Sequence, residues 1–227
     1  MHVILVHGAG GSDRTWLYVL PNLAERGISA TAVDNPSQSL RADTETVRAL
    51  IDSVDDDVLL VGHSYGGAVI TNAGTHERVR GLVYIAAFAP DEGESVQRIV
   101  NSYPAAEVSS FMTRGEDGAW IPDGRPEARA ALAWDVPDEI WDARADDNRV
   151  SADAIFTETT HDPAWAGLPA WYLVATNDKH IRIEAQRAMA ARARAVVSEV
   201  GTSHAVPHAA PDAVVATIES ALGALAS

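Results

Sequence analysis

The stretch "VLLVGHSYGGAVI", Val58 to Ile70, decides the fold. Four apolar residues meet a glycine-flanked serine, and the chain runs on in small and apolar residues. Gly62-His63-Ser64-Tyr65-Gly66 fits G-x-S-x-G, a pattern with a physical cause. A nucleophile on a sharp strand-to-helix turn projects its Oγ above a sheet, in strained backbone geometry. Glycines two residues before and after it remove Cβ atoms that would collide. The helix that follows aims its N-terminal N–H groups and its dipole at the serine, where an oxyanion would form. The match alone is moderate evidence, since chance supplies it in about one chain in fourteen of this length. Strand-like "VLLV" before it and helix-like "GAVITNA" after it supply the context the chemistry requires.

Outward from this turn, short apolar runs alternate with longer helical patterns. Strands are predicted at Val3–His7, Ala30–Asp34, Val58–Gly62, Leu82–Ala86, Ala170–Ala175 and Ala195–Val200. The runs are nearly continuous in apolar residues, as in parallel strands covered on both faces. Helices are predicted at Trp16–Arg26, Thr44–Ser53, Ala68–Thr75, Glu184–Arg194 and Pro211–Leu225. Proline opens the last, where its missing N–H costs nothing. The alternation predicts an α/β fold: a doubly wound, mainly parallel sheet of about six strands, flanked by helices.

Residues 88–168 break the rhythm. They lack a good buried strand, are rich in Pro, Gly, Asp and Arg, and carry helical patches such as "RPEARAALAW". Trp120, Trp134, Trp141 and Trp165 fall here, with Phe88, Phe111 and Phe156. A structureless insertion of that length is improbable. The expectation is one domain over 1–227, with a core of 1–87 and 169–227. A helical cap of about 88–168 is inserted after the fourth strand, over the C-terminal edge of the sheet, where open α/β folds bind ligands. Some of these aromatic residues are expected to line an apolar pocket and others to join cap to core.

Bulk properties narrow the function. With 32 acidic and 17 basic residues the net charge is −15. Scattered basic residues on such a chain do not make a nucleic-acid-binding face. The absence of cysteine excludes disulfides, thiolate metal sites and a cysteine nucleophile. The N-terminus lacks a basic region followed by a long apolar one, so no signal peptide is expected. No apolar run is long enough to span a membrane. A cytoplasmic location follows by default.

An activated serine needs a base, and the base an orienting acid. Of eight histidines, His204 in "EVGTSHAVPHAAPD" lies just after the last predicted strand, at the same sheet edge as Ser64. His208 has helical spacing from it, but Pro207 intervenes and no third ligand is near, so no metal site is expected. His208 is expected in a loop or facing solvent, His2 and His76 at the periphery, and His63 in packing or positioning. His161 and His180 are candidates to border a pocket. Asp178 in "LVATND" ends the preceding strand and is the expected acid; Asp91 in "AFAPDEGES" is the rival, otherwise a turn or capping carboxylate. The oxyanion needs two donors. One is the backbone N–H of Tyr65; the other, from the loop "HGAGGSDRTW", is expected from Ala9. "GAGGS" lacks the Lys-Ser/Thr of a phosphate-binding loop, and no cofactor is expected.

Together these residues resemble the α/β-hydrolase superfamily, over nearly the whole chain. "LVGHSYGGAVI", "YIAAFAPDEGES", "LVATND" and "SHAV" are most similar to small cofactor-free serine esterases related to plant methyl esterases and hydroxynitrile lyases. The resemblance implies nucleophile Ser64, acid Asp178, base His204 and oxyanion donors Ala9 and Tyr65. Two features depart from it: "VDNPSQSL" replaces the usual DxPGxG, and the insertion matches no substrate-defining pattern. Hydroxynitrile lyases carry a lysine after the base and a threonine in the oxyanion loop. Ala205 and Gly8 stand there instead, which favours hydrolysis. Ser64 also excludes the aspartate-nucleophile chemistry of dehalogenases and epoxide hydrolases. The expected function is hydrolysis of a small, mainly apolar carboxylic ester, with a small molecule as partner and neither nucleic acid nor membrane. A non-turnover or slow-turnover ligand receptor on the same scaffold and a C–C bond hydrolase or hydroxynitrile lyase variant stay open, as do substrate and oligomeric state.

Overall fold

The computed structural model describes residues 1–111, 113–116, 118–121, 125–143 and 149–226. β1 (His2–Val6) leads through a 3-10 turn (Asp13–Trp16) to α1 (Val19–Glu25) and β2 (Ala30–Val33). α2 (Leu40–Asp52), β3 (Val58–His63), α3 (Gly66–Ala73) and β4 (Val79–Ile85) follow. The insertion then holds α4 (Val96–Asn101), the strand pair β5 (Thr113–Arg114) and β6 (Trp120–Ile121), α5 (Pro126–Ala133), α6 (Asp138–Asp142) and α7 (Ala154–Thr157). The chain returns through β7 (Ala170–Ala175), α8 (Ile183–Arg192), β8 (Val196–Val200), α9 (Val206–Ala209) and α10 (Pro211–Leu225).

Six strands form one sheet in the order β2-β1-β3-β4-β7-β8, every pair parallel. Side chains alternate between its faces, so each face has its own core. On one, Ile4, Val6, Leu60, Tyr84 and Tyr172 pack with Val47 and Ile51 of α2, Ile70 of α3 and Met189 of α8. On the other, Val3, Leu5, Leu59 and Val61 pack with Val19 and Leu23 of α1 and Val215 and Ile218 of α10. β1 apart from His2, and all of β3 and β7, are buried on both faces, as continuous apolar runs require.

β8 departs from that expectation. Val196 is 59% exposed and Val197 48%. β8 is an edge strand, and its Ser198 and Glu199 interrupt the apolar run. α2 begins four residues before its predicted start, because Ser39 caps it by accepting the Ala42 N–H at 3.0 Å. β4 begins three residues early, at Val79. The insertion is not wholly helical: β5 and β6 pair antiparallel over two residues each. Thr113 and Arg114 are exposed, so no burial pattern marks this pair in the sequence.

Hydrogen bonds tie the insertion to the loops at the C-terminal ends of four strands. Arg149 N–H donates to Gly10 O after β1, and Ala152 N–H to Ser37 O after β2. Val108 N–H donates to Lys179 O after β7, and Asp135 accepts the Ser203 N–H after β8 at 2.9 Å.

Candidate active site

Ser64 sits where β3 ends and α3 begins, with φ of +53°. A side-chain-bearing residue is strained there. The turn is too tight for Cβ atoms on either flank. One built on Gly62 would stand 2.5 Å from Gly66 O, and one on Gly66 would strike Val6 O. The Ser64 N–H bonds Ile85 O at 3.3 Å, and Ser64 O accepts the Phe88 N–H at 3.0 Å, which anchors the turn to β4 and its loop.

The residue after the serine is anchored from below. The Tyr65 hydroxyl, fully buried, donates to Asp43 Oδ2 at 2.8 Å. Asp43 Oδ1 accepts the Ser37 N–H at 3.0 Å. Burial raises the Asp43 pKa to about 6, although Tyr65, the Ser37 and Gln38 N–H groups and Arg149 all favour its ionised form. Burial also raises the Tyr65 pKa well above its ordinary value, so the phenol keeps its proton and remains a donor.

The loop after β1 closes the other side. A Cβ on Gly8 would lie 2.9 Å from Ser64 Cβ, so glycine lets this loop pass against the serine without displacing it. His7 fixes the loop: its Nδ1–H donates to Gly8 O at 2.7 Å, and its Nε2 accepts the Asn35 N–H at 2.9 Å. Among the described residues, nothing accepts a hydrogen bond from the backbone N–H of Ala9 or of Tyr65.

Asp178 and His204 meet. His204, 3% exposed, donates from Nδ1 to Asp178 Oδ2 at 2.7 Å. The Asp178 side chain is fully buried and accepts three further bonds. These are the His180 N–H at 2.6 Å, the Ile181 N–H at 3.0 Å and Gln186 Nε2 at 2.9 Å. The bond at Nδ1 fixes the tautomer and leaves the Nε2 lone pair to act as a base. Among the described residues, no hydrogen bond joins that Nε2 to Ser64 Oγ. Asp91 stays in its own turn, accepting the Glu92 N–H at 2.8 Å.

The other histidines divide. His63 donates from Nε2 to His204 O at 2.9 Å and meets Trp16 edge-on, as expected of a positioning residue. His2 bonds Ser29 and Thr31, and His76 pairs with Asp52. His161 pairs with Glu92 at 3.1 Å in a largely exposed position. His208 contradicts its expectation of a loop or solvent-facing place: it is 7% exposed, because α9 turns its ring against Tyr18. His180 lines a narrow cleft with Phe88, Ile99, Tyr103 and Ile181. The cleft encloses about 10 Å³, room for about one water.

Aromatic residues of the insertion play mixed parts. Trp165 is buried and donates to Pro90 O at 2.9 Å, and Phe88 joins the core. Trp120 meets Phe156, which meets Tyr65 in turn. Trp134 is 49% exposed. Sequence reasoning missed Asp43, Arg149 and Asp135. Asp43 sits one residue before the predicted start of its helix, and the other two lie in the insertion. Their spacing from Ser64 and His204 carries no motif.

A family model described as the alpha/beta hydrolase family matches residues 3–217. A carbendazim-hydrolyzing esterase from Nocardioides sp. (strain SG-4G) is 36% identical over 93 residues, 40% of this chain and 36% of that protein. Salicylic acid-binding protein 2 of Nicotiana tabacum is 30% identical over 142 residues, 56% of this chain and 53% of that protein. The alignments thus span about a third to a half of these relatives. A pyrethroid hydrolase structure from Sphingobium faniae JZ-2 superposes with a TM-score of 0.85 at 22% identity, covering 97% of this chain and 96% of that one. Polyneuridine aldehyde esterase superposes with 0.82 at 19% identity, covering 97% and 98%. These superpositions establish a shared fold.

Proposed function

The chain belongs to the alpha/beta hydrolase family, and from that premise we propose that it hydrolyses a small, mainly apolar carboxylic ester with Ser64, His204 and Asp178. One observation carries the proposal: a strained, glycine-flanked serine shares the C-terminal edge of the sheet with a histidine bonded through Nδ1 to a buried carboxylate. In this reading His204 Nε2 takes the proton of Ser64 Oγ as the oxygen attacks the ester carbonyl. Catalytic hydrogen bonds are often long without substrate and tighten when it binds. The N–H groups of Ala9 and Tyr65 hold the oxyanion. His204 then protonates the departing alcohol, and the acyl group stays on Ser64. Water, deprotonated by His204, releases the acid. The insertion acts as a cap that shapes the pocket.

The names of relatives support an ester as substrate: one is called an esterase and another a pyrethroid hydrolase. A relative named for binding salicylic acid keeps a second reading in play, a receptor that binds without turning over. A panel of p-nitrophenyl esters of increasing acyl length, run beside Ser64→Ala, separates the two. The hydrolase reading predicts many turnovers for wild type and none for the variant. Tight binding without turnover of any ester would select the receptor.

A further inference from the structure

Asp178 does more than hold His204. Its Oδ1 accepts both the His180 and the Ile181 N–H, at 2.6 and 3.0 Å, in a tight turn of the kind an aspartate makes with its own following backbone. That turn lays the His180 ring on the His204 ring, with centroids 4.7 Å apart and planes only 10° from parallel. His63 meets the His204 ring as well, at 4.9 Å and 41°. The insertion fixes the same turn through the Val108 N–H on Lys179 O and the Lys179–Glu107 ion pair at 3.1 Å. One carboxylate thus sets both the edge of His204, through Nδ1, and the ring stacked on its face.

We propose that His180 is a positioning residue, whose ring face holds the His204 imidazole in its working plane and stabilises the imidazolium formed during acyl transfer. The inference rests on the Ser64–His204 reading above. A flat ring at this spacing blocks rotation of His204 about its side-chain axis, which small misplacements make costly. A cation within about 6 Å of an aromatic face is attracted to it. The attraction requires a neutral His180. Loss of hydration, with His204 and His63 beside it, holds the His180 pKa well below its ordinary value.

The test compares wild type, His180→Ala, His180→Phe and Ser64→Ala on one p-nitrophenyl ester, with thermal melting of each. His180→Ala should lower kcat about tenfold or more, with KM within about twofold. His180→Phe, which keeps a flat face and cannot titrate, should restore kcat to within about threefold of wild type. A folded Ala variant with wild-type kcat would overturn the proposal, as would a folded Phe variant no better than the Ala one. If one of them does not fold, the other decides by the same measure. Should Ser64→Ala still turn over, the serine reading itself fails. If it is inactive while His180→Ala is unimpaired, only the stacking role fails.

Discussion

Asp178 accepts four hydrogen bonds on a fully buried side chain, so replacement by asparagine keeps the shape and spoils the pattern. An amide has one acceptor oxygen. Its NH2 must face either the His204 Nδ1–H and Gln186 or the two backbone N–H groups. Asp178→Asn is expected to lower kcat on p-nitrophenyl acetate by about 10³-fold or more, as in other triads, while Asp91→Asn leaves it near wild type. The reverse result would move the acid role to Asp91. Asp43 gives a second prediction. Its pKa of about 6 in the fold exceeds the ordinary value of 3.8, so the folded state binds the proton more tightly than the unfolded one. Stability from this group is therefore present below about pH 4 and is lost as pH rises through about 6. The loss amounts to about 3 kcal/mol. Asp43→Asn should remove this dependence. Urea unfolding of both proteins across pH 4 to 7 should show the wild type losing ground to the variant as pH rises; a constant difference would contradict the account. At this scale Ser64, Asp178 and His204 stand out in the sequence because each follows a predicted strand. Asp43 does not, because a buried aspartate early in a helix looks like any solvated one.

Elements were legible where burial wrote a pattern. β3 and β7 are buried end to end and lie within a residue of their predicted ends. α10 has the bounds its opening proline and apolar face suggest. β5 and β6 are two residues long, too short for any periodicity to register. β8, Val-Val-Ser-Glu-Val, is exposed over most of its length, since it lies at the edge of the sheet. The β3–α3 turn gives the prediction that belongs here. A Cβ on Gly66 would strike Val6 O, which is backbone and cannot swing aside. Gly66→Ala should destabilise the protein by about 2 kcal/mol or more, read as a lower urea midpoint at unchanged slope. An unchanged midpoint would mean that β1 and α3 do not pack as described.

For the whole molecule, the insertion meets the core through bonds to the loops after four strands. No helix among the described residues is long and apolar enough to cross a membrane. Nothing in a single sequence folds some 80 inserted residues onto an edge, and Arg149 shows why. Its backbone bonds Gly10 O, and its guanidinium bonds Gly11 O and Asn35 O and pairs with Asp34 at 2.7 Å. These contacts join residues more than a hundred positions apart. The ion pair is partly exposed and contributes under about 1 kcal/mol. Arg149→Ala should leave thermal stability within a few degrees, yet lower kcat/KM about tenfold by loosening the loop that carries Ala9. Equal losses of stability and activity would make Arg149 a general support rather than a latch on the oxyanion loop. The central claim is that Ser64 is the nucleophile, and covalent labelling reads it directly. A fluorophosphonate probe followed by peptide mapping should place one adduct on Ser64 of wild type and none on Ser64→Ala. Equal labelling of both proteins would contradict the account.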